Sequence, residues 1–125
     1  MKFLLDTHTL LWGLYDSSKL SSTVIQILSS ESCYISIASL WEMAIKSSLG
    51  KINLAQPILA IYSKCKEYEI ELLPIKPEHC QIVTTLPFIH KDQFDRIIIA
   101  QAKTENLTIL TKDSYIPMYK VKTIW

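Results

Sequence analysis

The amino-acid sequence predicts an α/β fold, a mainly parallel sheet covered by helices on both faces. Three observations carry that expectation. Short apolar runs alternate along the chain with stretches of helical periodicity. Residues that cap or break helices fall between them, among them Ser39, Gly50, Pro57, Pro77, Pro87 and Asn106. The chain has 125 residues, 49% of them hydrophobic, which is enough to enclose one core and cramped for two, so residues 1–125 are expected to form a single domain.

Lys2 to Asp6 reads as a short strand ending in an acid, and Thr7 to Tyr15 as a helix with Leu10, Leu11 and Leu14 at helical spacing. Ser21 or Ser22 caps a second helix bearing Val24, Ile25 and Leu28. Cys33 to Ile37 alternates like a strand, after which Ser39 opens a third helix that Gly50 ends. Pro57 suits a first helical turn, and the segment to about Tyr68 carries Ile58, Leu59, Ile61 and Tyr62 at helical spacing. A strand follows at Glu71 to Leu73, then a helix from Pro77 to about Thr85 and a loop at Pro87. Phe94 to Glu105 is the next helix, Leu107 to Leu110 a strand, and Val121 to Ile124 a last edge strand.

Composition narrows the function classes. No apolar run reaches the roughly 18 residues needed to cross a membrane. The start, Met1 to Asp6, meets a carboxylate before it could build a secretory signal, so a cytoplasmic protein without a membrane partner is expected. The mean hydropathy of +0.19 is high for a soluble chain and points to an interface in addition to a core. Cys33, Cys65 and Cys80 lack the spacing of a disulfide framework or a structural zinc site and read as small buried hydrophobes. With only two glycines there is no phosphate-binding glycine loop. The net charge of +1 does not announce a nucleic-acid binder, although the positive charge is nearly all lysine, Arg96 being the sole arginine.

The chemistry rests on four scattered acids, Asp6, Glu42, Asp95 and Asp113. Ligands of an open parallel sheet lie at the carboxyl ends of its strands, and Asp6 and Asp113 fall just past expected strands. Glu42 and Asp95 are expected in the first turns of helices that could point at the same crevice. Each also has a plainer reading. Asp6 could cap a helix, Asp113 could be a turn residue, and Asp92 with Asp95 mimics a cap. Glu42 has capping-box spacing from Ser39 and ion-pair spacing to Lys46. Asp95 shares a face with Ile98, Ile99 and Ala102, where a carboxylate is costly unless paired or metal-bound, and Arg96 is the nearest candidate partner. If the four converge, they repel one another unless cations lie between them. An all-oxygen set of that kind suits magnesium or manganese, which can activate water against a phosphodiester without a nucleophilic side chain.

The remaining candidates are weaker. His8, His79 and His90 show no metal spacing and read as surface or core histidines, with a minor substrate contact open to His8 and His90. Trp12, Trp41 and Met43 read as core or interface residues rather than base-stacking platforms. A phosphatase or phosphotransferase of the haloacid dehalogenase kind would want a second acid two residues after Asp6, where His8 stands.

Four stretches resemble the motifs of PIN-domain ribonucleases, specifically VapC-like toxins of type II toxin–antitoxin systems. They are Leu4-Leu5-Asp6-Thr7-His8-Thr9-Leu10-Leu11-Trp12, then Ser39-Leu40-Trp41-Glu42-Met43-Ala44-Ile45-Lys46 continuing into Leu49-Gly50-Lys51-Ile52. The third is His90-Lys91-Asp92-Gln93-Phe94-Asp95-Arg96 with Ile99-Ala100-Gln101-Ala102, and the fourth is Leu110-Thr111-Lys112-Asp113. Gln93 departs from the proline usual in the family. The resemblance implies a PIN-like three-layer α/β/α sandwich and an endoribonuclease that leaves a 5′-phosphate and a 3′-hydroxyl. It implies that Asp6, Glu42, Asp95 and Asp113 hold one or two Mg2+ or Mn2+ ions, supported by Thr111 and Asp92. It further implies an RNA substrate, a homodimer and a cognate antitoxin. The alternative it leaves open is a catalytically inactive PIN-like module that binds protein or RNA.

Overall fold

The computed structural model describes residues 1–125. In chain order the elements are β1 (Lys2–Leu5), α1 (Thr7–Tyr15), α2 (Ser22–Ser30), β2 (Ser32–Ser36), α3 (Ile37–Ser48) and α4 (Ile58–Glu67). They continue with β3 (Glu71–Leu73), α5 (Pro77–Val83), α6 (Gln93–Glu105), β4 (Thr108–Leu110) and β5 (Thr123–Ile124). Two short 3-10 turns, Ser17–Lys19 and Ile116–Tyr119, were not foreseen from periodicity, which cannot register so short a segment.

The five strands form one sheet in the order β3-β2-β1-β4-β5, and every pairing is parallel. The expected α/β class, with its mainly parallel sheet, is therefore observed. Because β1 is central and short, its three apolar residues divide between the two faces with the pleat. Phe3 and Leu5 enter one core with Leu10, Val24, Met43 and Ile61 from α1 to α4. Leu4 enters the other with Ile98, Ile99 and Ala102 of α6. Two cores on opposite faces make three layers, the architecture the resemblance implied. No helix is long and apolar enough to cross a membrane.

The strand order also locates the crevice. From β1 the chain builds outward through β2 to β3, then returns to pair β4 with the other side of β1. The carboxyl ends of β1 and β4 thus diverge, one into α1 on one face and the other toward the 3-10 turn Ile116–Tyr119 on the opposite face, which is where open α/β sheets place ligands. The seam is held locally: Asp6 N–H donates to the Leu110 carbonyl at 3.3 Å and the Thr9 hydroxyl to the same oxygen at 2.9 Å.

Side-chain caps start four helices, and one differs from expectation. Asp6, Ser21 and Asp92 accept from the backbone N–H of Thr9, Val24 and Asp95, respectively. For α3 the cap is Ser36, whose oxygen accepts from Ala38 N–H, and not Ser39. Ile37 prolongs the alternating pattern in sequence, but Ser36 is already bonded as a cap, so the helix begins three residues early. Ser39 lies inside α3, its capping box with Glu42 does not form, and Glu42 occupies the second turn rather than the first. At the other end Gly50, at φ 70°, closes α3 as expected.

Two burial expectations are also overturned. Trp41 is 61% exposed on the outer side of α3, where it meets the edge of Phe94, so of its two readings the core one fails, whereas Met43 is fully buried. Cys80 is exposed while Cys33 and Cys65 are buried, and burial pushes both of their thiols up to about 11.

The two-core arrangement predicts the response to truncation. Ile109→Ala, in β4 and fully buried, is expected to lower the unfolding free energy by about 2–5 kcal/mol in urea titrations. Leu59→Ala, at a position 78% exposed, is expected to change it by less than about 0.5 kcal/mol.

Candidate active site

An open crevice of about 280 Å³ lies beyond the carboxyl ends of β1 and β4. Asp6, Glu42, Asp92, Asp95 and Asp113 all line it, joined by Lys46, Lys112, His8 and Trp12. The structure therefore brings together all four acids singled out from the sequence, and Asp92 with them. Thr111 lies just behind, buried at the end of β4.

Each acid is held by its own element. Asp6 ends β1 and caps α1, its Oδ1 accepting from Thr9 N–H at 2.9 Å and its Oδ2 from the Thr111 hydroxyl at 2.5 Å. The plainer reading of Asp6 is thus observed, since one oxygen caps the helix, and the other bridges the β1–β4 seam. Thr7, the next residue, donates its hydroxyl to Glu42 Oε1 at 2.6 Å. Glu42 Oε2 sits 2.6 Å from Lys46 Nζ, the ion pair its spacing anticipated. That hydrogen bond holds Lys46 above its ordinary range against the lowering effect of burial. Asp113 Oδ1 accepts from the N–H of Tyr115 at 2.6 Å and of Ile116 at 3.3 Å, so it is also the turn residue of its plainer reading.

Asp95 is the strained member of the set. Burial pushes its carboxyl from 3.8 up to about 7, and the negative charges of Asp92, Asp113 and Asp6 push the same way. A hydrogen bond from His90 opposes them. Arg96 is not its partner: the guanidinium is buried on the far side, donating to the Pro87 carbonyl at 2.8 Å and the Tyr119 hydroxyl at 3.3 Å. Neighbouring residues of a helix point in different directions, and here one faces the crevice and the other the core. The partner is instead His90, whose Nε2 lies 3.1 Å from Asp95 Oδ2.

A model of the PIN domain matches residues 3–122 of the chain. The chain belongs to the PIN domain family. No curated protein matches it in sequence. Among solved structures, this PIN domain is similar to a chain of VapBC2 from Rickettsia felis bound to a DNA fragment from their promoter. The TM-score there is 0.72 at 14% identity, covering 99% of this chain and 98% of that one. It is also similar to a chain of VapBC-1 from nontypeable Haemophilus influenzae, with TM-score 0.70, 18% identity and coverage of 99% and 97%. A toxin–antitoxin complex from Klebsiella pneumoniae gives TM-score 0.56 at 18% identity, covering 89% and 86%. At such identities the likeness is one of fold.

Within the PIN domain the acids are arranged around negative charge rather than around a finished coordination shell. As the side chains stand, no three His, Cys, Asp or Glu groups converge tightly enough to coordinate one ion. Glu42 is turned onto Lys46 and Thr7, and Asp6 onto Thr9 and Thr111. Sequence reasoning missed two features of this site. Lys112 reaches the crevice beside Asp113, and Tyr119 stands behind His90. The position of Lys112 in the fourth motif could have signalled the first, and nothing local signals the second.

The upward shift of Asp95 gives a signed pH dependence. Because the folded-state value exceeds the unfolded one, ionising Asp95 opposes folding. Its favourable contribution is complete below about pH 4 and is lost as pH rises through about 7. Asp95→Asn removes that loss while keeping an acceptor for His90. In chelator-treated protein the variant is therefore expected to melt near the wild type at pH 4. At pH 8 it should be the more stable of the two, because the wild type alone then carries the buried charge. A melting-temperature difference that stays flat with pH would contradict this assignment.

Proposed function

We propose that residues 1–125 act as a single PIN-like domain that cleaves RNA phosphodiesters with Mg2+ or Mn2+, as the toxin of a toxin–antitoxin pair. The observation that carries the reading is Asp95, a carboxyl forced up to about 7 partly by the three acids that face it. Such crowding calls for a positive counter-charge. The donor set fits a hard divalent cation, since the five carboxylates that line the crevice all offer oxygen. Asp6, Glu42, Asp95 and Asp113 would hold one or two such ions, with Asp92 and Thr111 supporting them from behind. A bound ion of this kind polarises the phosphoryl group and lowers the pKa of water, the two requirements of phosphodiester hydrolysis.

The chain's own groups supply the rest. Lys46 and Lys112 stand among the acids and can hold the negative phosphates of a nucleic-acid backbone against an otherwise repellent crevice. The Thr7 and Thr111 hydroxyls are spent on Glu42 and Asp6, orienting those carboxylates rather than serving as nucleophiles. Membership of the PIN domain family supports a nuclease, and the fold shared with a toxin–antitoxin complex supports the toxin assignment and a cognate antitoxin partner. The exposed Trp41, Leu49 and Phe88 support a homodimer by offering apolar surface, and the proposed setting is the cytoplasm.

The Glu42–Lys46 pair favours a second reading, a PIN-like module that binds protein or RNA without cutting, because Lys46 already neutralises one proposed ligand. One experiment separates the two. The purified chain, freed of any antitoxin, is expected to cut structured RNA with Mg2+ or Mn2+, to leave 5′-phosphate ends, and to stop in EDTA. Asp6→Ala and Asp95→Ala are each expected to lose more than about 100-fold in rate, beyond the loss typical of removing a ligand's supporting partner. Binding without cleavage would select the module, and cleavage that survives EDTA would exclude the metal mechanism.

A further inference from the structure

We infer that Tyr119 and His90 are positioning residues for Asp95, with Tyr119 fixing which ring nitrogen of His90 carries the proton that holds the Asp95 carboxylate. This rests on the reading of Asp95 as a metal ligand. Tyr119, 1% exposed, ends the 3-10 turn that follows β4, and its hydroxyl reaches across to the loop before α6.

The hydrogen bonds around that hydroxyl fix a direction. The His90 backbone N–H at 3.1 Å and Arg96 Nη1 at 3.3 Å both point to the phenol oxygen, and neither group can accept. The oxygen therefore spends its lone pairs on them and keeps one proton to give. His90 Nδ1 lies 2.6 Å away, and the only other acceptor in reach is the His90 carbonyl at 3.4 Å. The proton goes to the nearer atom, so Nδ1 is the acceptor and the imidazole carries its hydrogen on Nε2. That N–H donates to Asp95 Oδ2 at 3.1 Å. Tyr115 stacks on the ring at 5.4 Å between centroids, which limits its rotation.

Arg96 explains why the hydroxyl stays in place. The guanidinium is 2% exposed, forms no ion pair, and has only the Pro87 carbonyl and the Tyr119 oxygen as hydrogen-bond partners. A buried charge without a carboxylate is costly, so losing either partner is penalised. Phe88 covers it at 4.5 Å. The result is a four-residue chain, Arg96 to Tyr119 to His90 to Asp95, that commits Asp95 Oδ2 to the protein. The other carboxylate oxygen is left without a hydrogen bond from a side chain. Partners behind a ligand typically change metal affinity 10- to 100-fold, roughly, when removed.

The test is Mn2+ binding to the full chain by calorimetry at fixed pH, with RNA cleavage measured alongside. Tyr119→Phe keeps the ring and is expected to weaken Mn2+ binding by about 10-fold, lowering kcat with KM unchanged. His90→Ala, at a half-buried position that tolerates change better, is expected to do the same. His90→Gln, whose amide N–H can again reach Asp95, is expected to recover most of the affinity, which a merely structural role would not produce. Asp95→Ala serves as the reference. If it loses Mn2+ binding while Tyr119→Phe and His90→Ala keep wild-type affinity, the ligand reading stands and the positioning inference is overturned. If Asp95→Ala itself binds Mn2+ like the wild type, the ligand reading falls and the inference with it.

Discussion

The repulsion between carboxylates gathered at one sheet edge is the constraint around which this PIN domain is organised. Asp6, Asp92, Asp95 and Asp113 come from three separate stretches of chain, and the other three each raise the cost of ionising Asp95. They are held together by backbone that cannot easily move. Asp6 is tied at both carboxylate oxygens, Asp113 closes a turn, and Asp92 and Asp95 share the first turn of α6. Two well-packed cores on either face of β1 keep those anchors in register. Folding energy from apolar burial thus sustains a local arrangement that electrostatics alone would disperse.

The anchors show how one carboxylate can serve two structural contacts at once. A helix cap needs only one carboxylate oxygen, so Asp6 can satisfy a backbone N–H with Oδ1 and still turn Oδ2 to the seam. Asp113 closes its turn with Oδ1 alone, which accepts from the N–H of both Tyr115 and Ile116. Asp92 caps α6 by accepting from Asp95 N–H, which couples the placement of one acid to that of the next. Helix starts at the carboxyl edge of a parallel sheet also carry partial positive charge, which offsets some of the crowding.

Much of this was legible in the chain because the signals are local. Asp6 stands where an apolar strand gives way to a helix, and Gly50 or Asn106 stands where a helix must end in a left-handed turn. The start of α3 was misplaced because Ile37 continues the alternation of β2, and only the hydrogen bond of Ser36 ends it. Strand order was out of reach, since the Thr111 to Asp6 contact joins residues 105 apart and nothing near either one specifies the other. The His90 and Tyr119 pair lies in a loop and a 3-10 turn, 29 residues apart, where no periodicity exists to read. Arg96 is adjacent to Asp95 in sequence and so a candidate partner, but the helix turns it into the core instead.

The three cysteines carry a consequence of their own. Cys33 and Cys65 sit in the same core with thiols pushed far above neutrality, while Cys80 is open to water. An electrophile meets a thiolate readily only where the sulfur is both accessible and ionised. In the folded chain an electrophile therefore reaches the sulfur of Cys80, whereas Cys33 and Cys65 become reachable only when the core they share opens. The contrast between the two classes of thiol makes alkylation a chemical gauge of how often that core opens.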